Sequence, residues 1–436
     1  MLQPWTCHCG QLNAGPAPCS RCLNPAPPFA AWGAAPEPPR RSLAVLGLSL
    51  VVAVVLVAGA VASFVMSSRD DDGGGGDLRG RTAVYSPDQQ PAAGASEVER
   101  TLPELMRFVE QARGLQFKEP VKVTLLGDRA FRARLRGDDV SAQDEEDIRT
   151  TQRVLQALGL IESDVDLGSA VESLLGSAVA GFYDPEDDDL VVRGEDLTAS
   201  RKVTLVHELT HALQDQHFDI EGRELDERDD ESADGLTALV EGDAVRIELM
   251  YLESLPLAEQ KAFETEESAL GAGISPSTPR VLLELLGVPY SVGPDLVDAL
   301  LGAGGQSRLD AAFGDPPTTS EQLLHPEAYL AGQGAVEVPA PRPEGDKIDE
   351  GVLGEVGLIL FLREGVGSGA IAAAEGWGGD RYVAWRDGDR ACVRTVIAMD
   401  TPADATELRR ALDRMARQDD GLTVRGREVI TVTSCG

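Results

Sequence analysis

A run of 24 residues from Leu43 to Met66 carries no charge and consists mostly of Val, Ala, Leu and Gly. At ~1.5 Å per residue a helix of that length reaches ~36 Å and exceeds the ~30 Å hydrocarbon layer of a bilayer. Residues 41–66 are therefore expected to form a single transmembrane helix. A cleaved signal peptide is the alternative, and the small residues from Ala60 to Ser63 suit one. The apolar run is too long for it, however, and about 40 residues precede it. Arg40 and Arg41 stand on one flank against Arg69, Arg79 and Arg81 on the other, close to a tie. The immediate flanks favour a cytoplasmic N-terminus, which puts the bulk of the chain outside.

The anchor divides the chain. Residues 1–40 hold Cys7, Cys9, Cys19 and Cys22 and a proline-rich run. Residues 67–96 are rich in glycine, proline and charge and read as a flexible tether, with a root-mean-square reach of roughly 30 Å. From residue 97 the pattern alternates: a helix at 97–113, a strand at 121–127, helices at 142–158, short strands at 178–183 and 190–193, then long helices at 199–217 and 230–255. This is an α+β pattern, and residues 97–345 are expected to form one domain. Residues 346–436 follow as an α/β subdomain with apolar helices, a GWGGD turn, strands at 381–386 and 391–399, a helix at 403–417 and a closing strand. With 39 basic and 73 acidic residues in all, the chain lacks the basic face that a nucleic-acid partner requires. The outer part should also be repelled by anionic lipid.

Within VTLVHELTHALQDQHF, His207, Glu208 and His211 spell H-E-x-x-H. At i and i+4 the two imidazoles share a helix face and can converge on one ion, with the glutamate beside the water that the ion binds. The flanks, Thr204 to Val206 and Leu209 to Leu213 apart from His211, are uncharged, as a buried helix requires. A catalytic zinc takes three protein ligands and leaves one position open. Glu241, in DGLTALVEGDAVRIELMYL, is the candidate third ligand: it lies among Leu239, Val240 and Ala244, where a half-buried carboxylate needs a partner, and Gly242 allows a close helix approach. Glu231 and Asp234 compete, but their charged run looks like a solvated helix entry.

HELTH followed some 30 residues later by LVEGDA resembles the gluzincin group of zinc metallopeptidases, especially the bacterial membrane-anchored kind. GFYDPEDDDLVV, PPTTSEQLLHPEAY and GWGGDRY extend the resemblance over residues 97–436. The resemblance implies a zincin-like fold, with the active-site helix under a mixed sheet, and assigns zinc to His207, His211 and Glu241 and the role of general base to Glu208. The gap to the third ligand is longer than in the thermolysin type. The activity implied is endopeptidase cleavage of a peptide or protein substrate, by a water that zinc activates and Glu208 deprotonates. The alternative is a non-catalytic binding or scaffold protein that keeps the fold, although such a protein has no need of Glu208.

A tetrahedral oxyanion wants a further donor. His325 is the candidate: in TTSEQLLHPE, Thr318 and Glu321 form a capping-box pattern and Pro326 sets His325 at a helix end. Tyr290 is the alternative donor. Asp215 is a candidate to orient a ligand imidazole, His217 reads as a helix-end residue, and Gly181 to Tyr183 are candidates for a substrate rim on an exposed sheet edge. The acidic runs at 70–72, 186–189 and 226–231 lack calcium-loop spacing and read as solvated loops. In PWTCHCGQLNAGPAPCSRC, Cys7, Cys9, Cys19 and Cys22 resemble a zinc-ribbon or RanBP2-type knuckle and imply a second, structural zinc. The first spacer is one residue short, which leaves exchange with His8 open. Such a knuckle suits a cytoplasmic protein partner. Cys392 and Cys435 fall on expected strands and form either a disulfide or two buried thiols.

Overall fold

The computed structural model describes residues 4–6, 12–14 and 81–436 except 137–141, 185–186, 195–196, 221–229 and 273. The expected membrane run, the residues Cys7, His8, Cys9, Cys19 and Cys22, and residues 67–80 of the expected tether lie outside them. At the N-terminus β1 (Pro4–Thr6) and β2 (Leu12–Ala14) form an antiparallel hairpin with Trp5 opposite Asn13.

The remainder is mixed α+β and contains two sheets. The first has the order β3-β4-β6-β5, from β3 (Arg81–Tyr85), β4 (Val121–Leu126), β5 (Gly181–Asp184) and β6 (Asp189–Arg193). β4 and β6 run parallel and the two outer strands antiparallel. β3 corrects the reading of 67–96 as tether throughout. Its RTAVY alternates as a half-buried strand does, and Tyr85 reaches the core against β4. The glycine- and proline-rich neighbours concealed it. Helix α1 (Glu97–Arg113) follows, opened by a capping box of Ser96 and Glu99 and closed by Gly114 in the left-handed region (φ 75°).

Helices α2 (Asp128–Arg136), α3 (Ala142–Ala157) and α4 (Leu167–Ala178) lead to β5. After β6 comes α5 (Ala199–Phe218), capped by the Thr198 side chain on the Arg201 N–H. Its apolar residues Leu205, Val206, Leu209, Ala212 and Leu213 bury against Val123, Leu125, Leu190 and Val192 of the sheet and Ile247 of α6 (Asp230–Ser254). Then follow α7 (Leu257–Gly271), α8 (Arg280–Gly304) and the short α9 (Gln306–Ala312), α10 (Ser320–Leu324) and α11 (Pro326–Leu330). Where α6 meets α8 the backbones touch: a Cβ on Gly242 would lie 2.2 Å from the Gly293 carbonyl carbon, and one on Gly293 2.2 Å from the Ala238 oxygen. Only glycine permits that approach.

The second sheet has the order β10-β11-β9-β8-β7, all antiparallel: β7 (Asp346–Gly351), β8 (Trp377–Asp387), β9 (Arg390–Met399), β10 (Thr423–Arg425) and β11 (Val429–Cys435). Helices α12 (Gly354–Val366), α13 (Ala370–Ala374) and α14 (Pro402–Met415) cover it, and α3 contributes Val154, Ala157 and Leu158 to the same core, across the boundary expected at residue 345. The GWGGD segment, expected as a turn, turns only at Gly376 (φ 78°), and from Trp377 it is the start of β8. It bulges between Trp377 and Gly379, and a Cβ on Gly379 would meet the Val336 carbonyl oxygen at 2.4 Å. Glycine in a strand marks such a bulge and close backbone approach. Cys392 and Cys435 face each other in β9 and β11 and form a disulfide. Among the described residues, the helical stretch 354–374 is long and apolar enough to cross a membrane. Here Gly367 (φ 61°) interrupts it, and its Leu358, Phe361 and Leu362 are buried under the second sheet.

Candidate metal centre

Helix α5 carries His207 and His211 one turn apart with their rings 4.6 Å from each other. Glu241 arrives from α6, its Oε2 lying 3.0 Å from His207 Nε2 and 3.4 Å from His211 Nε2. One ligand atom from each of the three lies within 4.8 Å of the others, a cluster able to hold a metal ion. His207 is fully buried and Glu241 nearly so, whereas the His211 side chain is 15% exposed, which makes it the lip of the site. The donor set of two imidazoles and one carboxylate suits zinc with an open position.

Electrostatics bind the three tightly. Burial alone would lower the His207 pKa, but hydrogen bonds to Glu241 and Glu248 outweigh it and push the group up to about 10. Burial would likewise raise Glu241, yet the two imidazoles pull it down to about 2. Glu208, on the same helix turn, is 2% exposed. Burial raises its pKa, partly offset by His211 and His207. Its Oε2 accepts the Tyr183 backbone N–H at 2.8 Å, so β5 fixes the carboxylate from the sheet side.

Two residues without a role in the expected site orient the imidazoles. Glu248 accepts at 3.0 Å from His207 Nδ1, and the Gln214 side-chain oxygen lies 3.0 Å from His211 Nδ1. Their signals were present: Gln214 is three residues after His211 and Glu248 seven after Glu241, in each case on the same helix face. Asp215, expected to orient an imidazole, instead accepts the Tyr183 hydroxyl at 3.1 Å and the Ile220 N–H at 2.9 Å. His217 lies 2.8 Å from the Gln116 carbonyl at the helix end. Phe182 is core, edge-on to Phe131 at 5.7 Å.

The two candidate oxyanion donors separate. Tyr290, on α8, stacks on His207 with ring centroids 6.2 Å apart. Its buried hydroxyl lies beside Glu241, the carboxylate it can donate to, without ideal hydrogen-bond geometry. Burial and the neighbouring carboxylates of Glu241, Glu208 and Glu248 raise its pKa well above the usual phenol range. His325 ends α10 as expected, but Thr319 caps that helix in place of Thr318, and the imidazole lies 3.3 Å from Glu355 of α12. There it joins a junction with the second sheet. Glu231 accepts the Ser320 N–H, and Asp380 accepts the N–H groups of Leu353 and Gly354 and the Trp377 indole. Glu231, read as solvated, is only 5% exposed, because α10 folds over it.

Residues 342–435 match the family described as a domain of unknown function (DUF8575). No curated protein matches this chain, and no solved structure matches it.

Proposed function

We propose that the chain is a membrane-anchored, zinc-dependent endopeptidase of gluzincin type, with residues beyond the anchor outside the cytoplasm and peptides or proteins as substrates. The observation that carries this reading is the convergence of His207, His211 and Glu241 beside a buried Glu208. The disulfide between Cys392 and Cys435 supports an oxidising compartment.

His207, His211 and Glu241 would hold the ion, which supplies Lewis acidity to a peptide carbonyl and acidifies water. Glu208 takes a proton from the attacking water and returns it to the leaving amine. Its raised pKa suits both halves of that exchange, and the Tyr183 N–H keeps the carboxylate aimed. The Tyr290 hydroxyl, buried beside Glu241 with its ring on His207, is the better-positioned donor to a developing oxyanion. β5 is an edge of its sheet next to Glu208, but its residues Gly181–Asp184 are all buried and the Tyr183 N–H is already donated to Glu208. The four N-terminal cysteines would hold a second, structural zinc.

The test is hydrolysis of an unfolded protein by the full-length chain in detergent micelles, with and without chelator, and by Glu208→Gln. Cleavage that needs metal and falls at least ~100-fold in the variant supports the reading. Cleavage that survives Glu208→Gln overturns it, and metal uptake without cleavage supports the scaffold alternative.

A further inference from the structure

The second imidazole is held by an amide, and the amide is held by a buried ion pair. Gln214 is fully buried. Its side-chain nitrogen donates to the Val240 carbonyl at 3.0 Å and to Asp243 Oδ2 at 3.1 Å. Both neighbours are acceptors, so the amide cannot turn over without bringing its oxygen against two others. The oxygen is therefore committed to His211 Nδ1, 3.0 Å away, and an acceptor at that position requires Nδ1 to carry a hydrogen. With Nδ1 protonated, the lone pair of a neutral His211 sits on Nε2, the nitrogen that faces Glu241 at 3.4 Å.

Asp243 is held in turn. The same Oδ2 that accepts from Gln214 accepts from Arg113 Nε at 2.5 Å, with both side chains fully buried. The Arg113 guanidinium also lies 2.7 Å from Asp310, and 5.6 and 5.8 Å from the rings of Phe218 and Phe313, which stack on each other with centroids 4.2 Å apart. A buried ion pair is poor value for stability alone, because desolvation consumes most of the attraction. Here it fixes an acceptor that fixes an amide.

We propose that Gln214, locked by Asp243 and Arg113, is a positioning residue that presets His211 to ligate a divalent metal through Nε2. This rests on the metal-centre reading above and adds residues to it. His207 is set by a carboxylate, Glu248, and His211 by a neutral amide, so the cluster gains orientation at the second histidine without gaining another negative charge.

The experiment uses the full-length chain in micelles, titrated with cobalt(II). The imidazole–carboxylate site is distinguished from any thiolate site by its lack of sulfur-to-metal charge-transfer absorption. Gln214→Met keeps the bulk and removes the acceptor. Phe131→Leu, in a separate core cluster, is the control for general destabilisation. The second readout is the His211 Nδ1–H resonance of the zinc-loaded, 15N-histidine-labelled chain. Gln214→Met should weaken cobalt about 10- to 100-fold and expose that hydrogen to rapid exchange, while Phe131→Leu lowers the melting temperature and moves neither. Cobalt affinity within twofold of wild type in Gln214→Met, a still-protected resonance, or equal weakening in Phe131→Leu overturns the positioning role and leaves the metal centre standing. A wild-type chain that takes up no cobalt at the imidazole–carboxylate site removes both.

Discussion

Replacing Gly242 by alanine tests the geometry on which the centre depends, because that residue adjoins Glu241 and touches α8. The new Cβ would meet the Gly293 carbonyl carbon at 2.2 Å, its oxygen at 2.4 Å and its Cα at 2.6 Å, whereas ordinary contact begins at 3.4 Å, so the helices must part by about 1.2 Å. All three atoms are backbone and no rotamer change relieves them. Overpacking of this kind costs about 3 kcal/mol, the upper part of its usual range. For a folded part of this size that is a fall of roughly 4 °C in melting temperature. Parting α6 from α8 also moves Glu241 against His207 and lifts Tyr290 from its ring, so cobalt affinity should fall together with stability. The assay is calorimetric melting beside cobalt titration. Gly302→Ala is the comparison: it lies on the same α8, its Cβ would meet nothing within 4 Å, and it should stabilise by about 0.5–1 kcal/mol through helix propensity. A Gly242→Ala chain that melts with the wild type and binds cobalt equally refutes the close-packed crossing.

The junction between the two sheets predicts a pH effect. Burial pushes Glu231 up to about 7 from the usual 4.5. A carboxyl whose folded-state pKa is raised stabilises the fold below its unfolded value, and that stability is lost as pH rises through the folded one. Stability should therefore decline between about pH 4.5 and 7, with Glu231 contributing on the order of 3 kcal/mol. Urea unfolding at both ends of that window should show a smaller decline in Glu231→Gln, and an identical decline would discard the assignment. Joining residues 43 apart, the disulfide should contribute up to about 4 kcal/mol. Denaturation with and without reductant measures this, and no difference between the two would mean the bond is not formed. Under the proposed function, Glu208→Gln should keep cobalt binding near wild type while abolishing the proposed hydrolysis, since the residue is not one of the three proposed ligands; loss of both would reassign it.

Helix α5 is legible in the sequence because everything that specifies it is local: an N-capping Thr198, uncharged residues flanking the motif on both sides, and histidines four apart. Glu241 is legible at one remove, as a carboxylate set among Leu239, Val240 and Ala244. β3 is not, since five residues of alternating pattern inside a glycine- and proline-rich stretch have no reason to be ordered until β4 lies beside them. The glycines of β8 read as a turn for the same reason: their meaning is the Val336 backbone, which lies 43 positions from Gly379 along the chain. His325 shows the limit from the other side. Its helix-end position is a local property and was foreseen, but whether its ring faces a cleft or Glu355 is decided by α12.

The chain's own order of residues thus determined which side chains share a helix face, where helices begin, and that two imidazoles and an acid stand one turn apart. Tertiary structure alone decided what meets that face: Glu241 from 34 residues away, Arg113 across 130 residues to Asp243, and Tyr290 over His207. The division follows from the range of the forces. Capping and helical periodicity act within a turn or two, whereas a buried charge or amide acquires its partner only when separate elements pack together and exclude the water that would otherwise have served it.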